Sequence, residues 1–259
     1  MRSEWKTDPT HDGAQIQGRC RLCNAQSWLV DSHIIPSFQY RPLKKAEGHF
    51  LILSTNPEKK AIKRQKGITE HLLCAQCDNV RLSRYEDHLA KVLYSGHPLG
   101  GKQIGRPLVI EGYDYKRLKN AMLSILWRMS VSSEPYFSEV SLGSKHEERL
   151  RLALLNGTEF QEEDYPILLT APVFKEQHLG NWTLPPDFAR TEGNRVYRCL
   201  ISGLLFTFFV GSAPITNMVR PWILRRASWP VLWAKVEQIP VLLDACLRLG
   251  RANAIRENA

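Results

Sequence analysis

Two C-x-x-C pairs, Cys20 with Cys23 and Cys74 with Cys77, offer four thiolates, with about fifty residues between the pairs. Sulfur donors in two such knuckles suit tetrahedral zinc, where spacing within a pair matters more than the distance between pairs. The other use of paired cysteines, a disulfide framework, belongs to short secreted scaffolds rather than to a chain of 259 residues with six cysteines. We therefore expect one structural Zn2+, holding a unit whose own apolar core is thin. Ten residues after the first pair, His33 interrupts the apolar run "WLVDSHIIPSF". A neutral imidazole with a pKa of about 6.5 accepts protons at physiological pH, so the chemistry on offer is general-base catalysis. The bland alternative is a core histidine satisfied by backbone groups. Asp78, directly after the second pair, supplies the carboxylate oxygen that Mg2+ or Mn2+ prefers. An acid there would also be explained by the positive end of a helix.

Particular elements must bring these groups together. The run around His33 reads as a strand, "GITEHLLC" as a second strand, and "CDNVRLSRYEDHLAKVLY" as a helix opened by the second knuckle. In the first strand, alternation places Asp31 on the same face as His33. Residues 41–66 carry Arg41, Lys44, Lys45, Lys59, Lys60, Lys63, Arg64 and Lys66 against only Glu47 and Glu58. That excess is most of the net charge of +9, and it falls where a phosphate backbone would pass the imidazole. Arg81, one turn beyond Asp78, is a further candidate phosphate contact. Tyr85 is expected to pack on the zinc unit. Glu86 is expected on the helix surface, and is at most a ligand two turns from Asp78.

Cys20 and Cys23, "DSHIIP" at 31–36 and "LLCAQCDNVRLSRYE" at 72–86 together resemble the HNH, or ββα-metal, endonuclease superfamily, over about residues 18–90. The resemblance implies a treble-clef zinc site, His33 as general base and Asp78 as ligand to a catalytic Mg2+ or Mn2+. It implies hydrolysis of nucleic-acid phosphodiesters, DNA before RNA. Ser32 stands where the family often has an acid, and Asp78 where it often has a histidine. Glu70 or His71 would replace the family's loop asparagine. More loosely, the arrangement is like that of bacterial proteins in phage-defence neighbourhoods, which implies a defence or mobile-element effector with a protein partner from a neighbouring gene. The alternative is a non-catalytic zinc module that binds nucleic acid or a protein partner.

The remaining sequence names no chemistry. Hydrophobic content of 43% and charged content of 24% are those of an ordinary globular protein. The N-terminus shows no secretory h-region, so a cytoplasmic protein is expected. Residues 199–219 carry no charge over a span-length run, but its dense apolar part, "LLFTFFV", has the length of a buried strand, and no membrane association is expected. The expected organisation is a polar segment 1–18, an HNH-like zinc domain 19–95, a Gly/Pro-rich linker 96–107 and an α+β domain 108–259. Within the last, "YKRLKNAMLSILWRM" predicts a helix with one apolar stripe. "SKHEERLRLALLNG" predicts a helix with a Ser144/Glu147 capping box and a stop at Gly157. "YPILLTAPVF" and "RCLISGLLFTFFV" each predict a strand. The tail from Trp229 reads as apolar at helical intervals, interrupted by Pro240. Cys199 and Cys246 are expected in the core, and Trp222, Trp229 and Trp233 in packing rather than in binding. The fold class expected is α+β, with an N-terminal zinc/ββα unit and a mixed C-terminal domain.

Overall fold

The computed structural model describes residues 16–53, 58, 61–94, 108–191 and 193–257, with side chains as far as 252. The expected linker and most of the polar N-terminal segment lie outside them, as do Lys59 and Lys60. The class is mixed α+β.

The N-terminal part begins with β1 (Ile16–Arg19) and β2 (Gln26–His33), and continues through β3 (Phe50–Ile52), β4 (Ile62–Arg64) and β5 (Thr69–Cys74). The chain then turns into a helix, wound as a π-helix over Gln76–Leu82 and continuing as α1 (Ser83–Tyr94). The strands form a three-stranded sheet ordered β1-β2-β5 and a separate β3-β4 ribbon. The β2 strand stops at His33, three residues before Pro36, whose fixed φ starts a 3-10 turn over Ser37–Leu43.

The second part contains β6 (Leu108–Glu111), α2 (Tyr115–Val131), α3 (Ser144–Asn156), β7 (Ile167–Phe174), β8 (Gln177–His178), β9 (Asp187–Thr191), β10 (Asn194–Ile201), β11 (Leu204–Val210), β12 (Ser228–Lys235) and α4 (Pro240–Glu257). Its seven-stranded sheet runs β6-β12-β7-β11-β10-β9, with β8 beside β7. The β7–β12 pair is parallel.

The organising element is α2. Asp114 caps it, accepting from the Arg117 amide at 3.0 Å. The sequence predicts one apolar stripe, but α2 is buried on nearly every side, from Leu118 through Met129. It packs against both α1 and α3, so its polar residues need internal partners. Lys119 donates to the carbonyls of Gln161 and Glu162, and Asn120 to that of Thr158. One hydrophobic cluster runs without a break from Cys20, Leu22 and Leu72 through Leu118, Met122 and Trp127 to Leu169, Phe206 and Trp229. Each fully buried Leu or Met in it contributes about 1.5–3 kcal/mol.

Three local expectations are corrected. "RCLISGLLFTFFV" is a hairpin, β10 and β11, turning at Ser202 (φ 49°) and Gly203 (φ 77°). Positive φ at both central residues matches the right-handed strand twist. Apolar residues on both arms hid the two-residue break. A Cβ at Gly203 would lie 2.3 Å from the Leu179 carbonyl oxygen, so Gly203→Ala should cost about 2 kcal/mol or more in urea denaturation. The capping box at Ser144 does not form. Gly143, at φ 77°, precedes the helix, and the Glu147 carboxylate accepts from Ser130 Oγ at 2.6 Å. Gly157 does end α3 in the left-handed conformation, at φ 63°. The tail from Trp229 opens as strand β12, with Trp229 and Val231 buried inward. Pro240 starts α4 rather than interrupting a helix, because a first-turn position needs no amide donor. Among the described residues no helix is long and apolar enough to cross a membrane.

Candidate metal centre and catalytic site

The four paired cysteines converge. Cys20 follows β1 in a tight knuckle, where its amide donates to the Ala25 carbonyl and its own carbonyl accepts from Asn24, both at 2.9 Å. Asn24 takes φ 60°, as such a turn requires. The Arg21 amide donates to Leu72 at 3.0 Å and ties this knuckle to β5. Cys74 is the last residue of β5, and Cys77 lies in the opening turn of the following helix. All four Sγ atoms lie within 4.8 Å of one another, and those of Cys23 and Cys74 are 3.9 Å apart. Tetrahedral Zn–S bonds of about 2.3 Å place sulfurs roughly 3.8 Å apart. No two of these cysteines are joined as a disulfide. Burial, then the charge of Cys20, pushes the Cys77 thiol far up, a penalty that a divalent cation bound to the sulfurs would offset. The donor set fits: the four cysteines could hold a zinc ion.

His33 ends β2, half-buried between the buried Ser32 and Ile34. The β2–β5 ladder pairs Leu29 with Cys74 and Val30 with Leu73, then slips by a bulge before Asp31 meets His71 and His33 meets Thr69. Bulges re-aim side chains. Burial, then the charge of Lys66, lowers the His33 pKa; Asp31 and Asp78 oppose this and Arg128 adds to it. The imidazole therefore has two carboxylates and two cations around it. Asp78 lies in the opening turn of the helix, and burial raises its pKa while the charge of Arg128, the Ser32 hydroxyl and the charge of His33 oppose this. Asp31 forms an ion pair with Lys66. Burial alone would raise the Asp31 pKa, but its hydrogen bonds to Lys66 and Thr69 bring it down. The charge of His71, its cross-strand neighbour, lowers it further.

Three residues are engaged differently from expectation. The Glu70 carboxylate accepts from Ser132 Oγ (2.6 Å), Ser133 Oγ (2.7 Å) and the Ser133 amide (3.0 Å), so it secures the end of α2 instead of facing His33. The Arg81 guanidinium donates to the Leu155 carbonyl, complementing the C-terminal pole of α3. Glu86 is not spread on the helix surface: its Oε1 lies 2.6 Å from Arg128 Nη2. Tyr85 does pack against the core.

Arg128 is the site residue that sequence reasoning missed. It is 1% exposed, and its Nη1 donates to the His33 carbonyl at 2.7 Å while Nη2 pairs with Glu86. One arginine on α2 thus fixes both the end of β2 and the helix carrying Asp78. Its only local signal was a place three residues beyond Ile125, at the border of the predicted apolar stripe. Arg128→Met would leave a mostly buried carboxylate and a backbone carbonyl without their donor. We expect a loss of about 3 kcal/mol by urea denaturation, largely recovered in Arg128→Met/Glu86→Leu.

Within the cationic segment, β3 and β4 form a ribbon in which Phe50 faces Arg64 and Leu51 faces Lys63. Tyr40 stacks on Phe50 at 5.5 Å and holds the ribbon to the turn after Pro36. Lys44, Lys45, Lys63 and Lys66 are exposed and Arg64 is partly so. Of the tail's aromatic residues, Trp229 is fully buried and Trp233 meets His178 edge-on, while Arg226 pairs with Glu159. Fold and site together define a mixed α+β protein with a four-cysteine cluster that could hold a zinc ion. Comparison with protein-family models, with curated proteins and with solved structures finds no match to this chain.

Proposed function

We propose that the chain is a zinc-stabilised, HNH-like endonuclease that hydrolyses DNA phosphodiester bonds with the help of Mg2+ or Mn2+. The observation that carries this reading is that His33, at the end of β2, and Asp78, directly after the last cysteine of the four-thiol cluster, each feel the other's charge. In this reading the N-terminal unit is a treble clef around zinc. His33 takes a proton from the attacking water, and its lowered pKa keeps it in the accepting form at neutral pH. Asp78 would hold the divalent ion, with Asp31 as a nearby carboxylate. When bound, that ion supplies charge neutralisation at the leaving oxygen. Arg128 positions the strand end that carries the base. The exposed Lys44, Lys45 and Lys63 would contact the phosphate backbone. A cytoplasmic bacterial defence or mobile-element effector is the setting to which the resemblance points.

A second reading, a nucleic-acid-binding or partner-binding protein on a degenerate scaffold, is favoured by one specific feature. Lys66 occupies Asp31, and among the described residues only the four cysteines bring three or more ligand atoms together. Plasmid incubated with the full chain and Mg2+ or Mn2+ separates the two. Nicking that is lost in His33→Ala supports the nuclease. Salt-sensitive DNA binding that is indifferent to His33, without cutting, supports the second reading.

A further inference from the structure

A cavity of about 290 Å3 opens between the first turn of α3 and the β9–β10 side of the large sheet. Its walls carry Lys145, His146 and Arg149 from α3 and Arg190 and Arg195 from the sheet, and among the described residues no carboxylate lines it.

Among the described residues, two features of this wall are unfavourable without an anion. Arg190 and Arg195 are direct partners across the β9–β10 ladder, and like charges placed opposite each other destabilise a sheet. Lys145 stands in the first turn of a 13-residue helix, at the positive pole where a cation is disfavoured. The acids of that turn are engaged elsewhere. Glu147 accepts from Ser130 at 2.6 Å, and Glu148 takes two 2.7 Å bonds from Arg151. Arg149 is matched by Asp164 at 2.6 Å. Among the described residues no carboxylate pairs with Lys145, Arg190 or Arg195. His146 lies 3.0 Å from the Tyr165 hydroxyl, and burial, then the charges of Arg195, Lys145 and Arg149, lowers its pKa.

We infer that this cavity binds a phosphate group through Lys145, Arg190 and Arg195. Guanidinium groups match phosphate oxygens bidentately. Arg195 is already oriented, because its Nη1 donates to the Leu142 carbonyl at 2.8 Å. A phosphate dianion offsets three cations better than a carboxylate does, and relieves both the cross-strand repulsion and the helix-pole misfit. The phosphate belongs either to a phosphorylated small molecule or to a nucleic-acid backbone. The inference does not depend on the nuclease reading.

The test uses the full chain and the Lys145→Gln/Arg190→Gln double variant, which spares the structural bonds of Arg195. Inorganic pyrophosphate and a short single-stranded oligonucleotide serve as separate probes, in calorimetry and thermal melts. The parent chain should bind at least one probe in a salt-sensitive way, and the variant should bind it about tenfold more weakly or worse. The ligand-free variant should melt no lower than the parent, because it has lost a repulsion. Weakening confined to pyrophosphate assigns a small phosphorylated ligand, and weakening confined to the oligonucleotide assigns a backbone phosphate. Both outcomes support the site. A parent chain that binds neither probe, or a variant that binds as tightly as the parent, overturns it.

Discussion

Cys74→Ser should remove the bound metal and, with it, the order of the N-terminal sheet. Metal analysis of the purified parent is expected to give one zinc per chain, and the variant close to none. Structural zinc supplies about 10–16 kcal/mol of apparent folding free energy in small zinc peptides. A smaller figure is expected here, because the β1-β2-β5 sheet also buries Leu22, Leu72 and Leu73 in the common cluster. It still exceeds the cost of most core substitutions, at several kcal/mol. Cys74 is the informative position: it closes β5, faces Cys23 at 3.9 Å and lies opposite Leu29 in the ladder that carries His33. Losing its sulfur therefore frees both knuckles and the strand between them. Cys199→Ser is the control. It removes a fully buried thiol beside Met129 Sδ, 3.7 Å away, costing about 1–3 kcal/mol without touching metal content. Limited proteolysis should cut first within residues 16–94 in the Cys74 variant or after chelation. A parent chain free of zinc, or a Cys74 variant as stable as the parent, would show that the thiols are only neighbours.

The part of this site legible in the sequence is the part set by short-range spacing. Two residues between cysteines dictate a knuckle, alternation around Ser32 dictates a strand, and Pro36 bounds it. Those features place Cys20, Cys23, Cys74, Cys77, His33 and Asp78 without knowledge of the rest of the fold. What escaped was decided by distant partners. Arg128 is 95 residues from His33, and no local pattern says that an arginine on an apolar helix will span two other elements. Once it does, Glu86 must turn inward to meet it, which is why a surface placement failed for that carboxylate. Glu70 and Arg81 likewise follow from where α2 ends and where α3 ends. The Ser202–Gly203 turn was hidden because both strands of its hairpin are apolar and buried, leaving no alternation to mark the break. The basic cavity was illegible for the same reason: its cations come from α3 and two strands, and only tertiary packing makes Arg190 face Arg195.

His33→Ala should abolish plasmid nicking while leaving the fold in place. Removing a positioned general base typically costs 10²–10⁴-fold in rate, and the variant is expected in that range. The side chain is half-buried at a strand end, and its backbone carbonyl, which survives the substitution, carries the bond from Arg128. The stability cost should therefore stay near 1 kcal/mol, so a dead enzyme cannot be mistaken for an unfolded one. Acidity supplies a second signature. Burial and Lys66 hold the imidazole below its ordinary pKa of 6.5, so the proton-accepting form persists as pH falls through that value. The rate should decline only at lower pH, as the depressed pKa is crossed. Lys66→Ala removes one of the groups depressing it, so the acid limb should move upward while zinc content stays unchanged. Cutting that survives in His33→Ala, or an acid limb indifferent to Lys66, would take the imidazole out of the chemistry. A parent chain that binds DNA yet never nicks it with Mg2+ or Mn2+ would leave the four-thiol unit as a recognition scaffold. In that case the ion pair of Asp31 with Lys66, which engages the second carboxylate, accounts for the missing metal site.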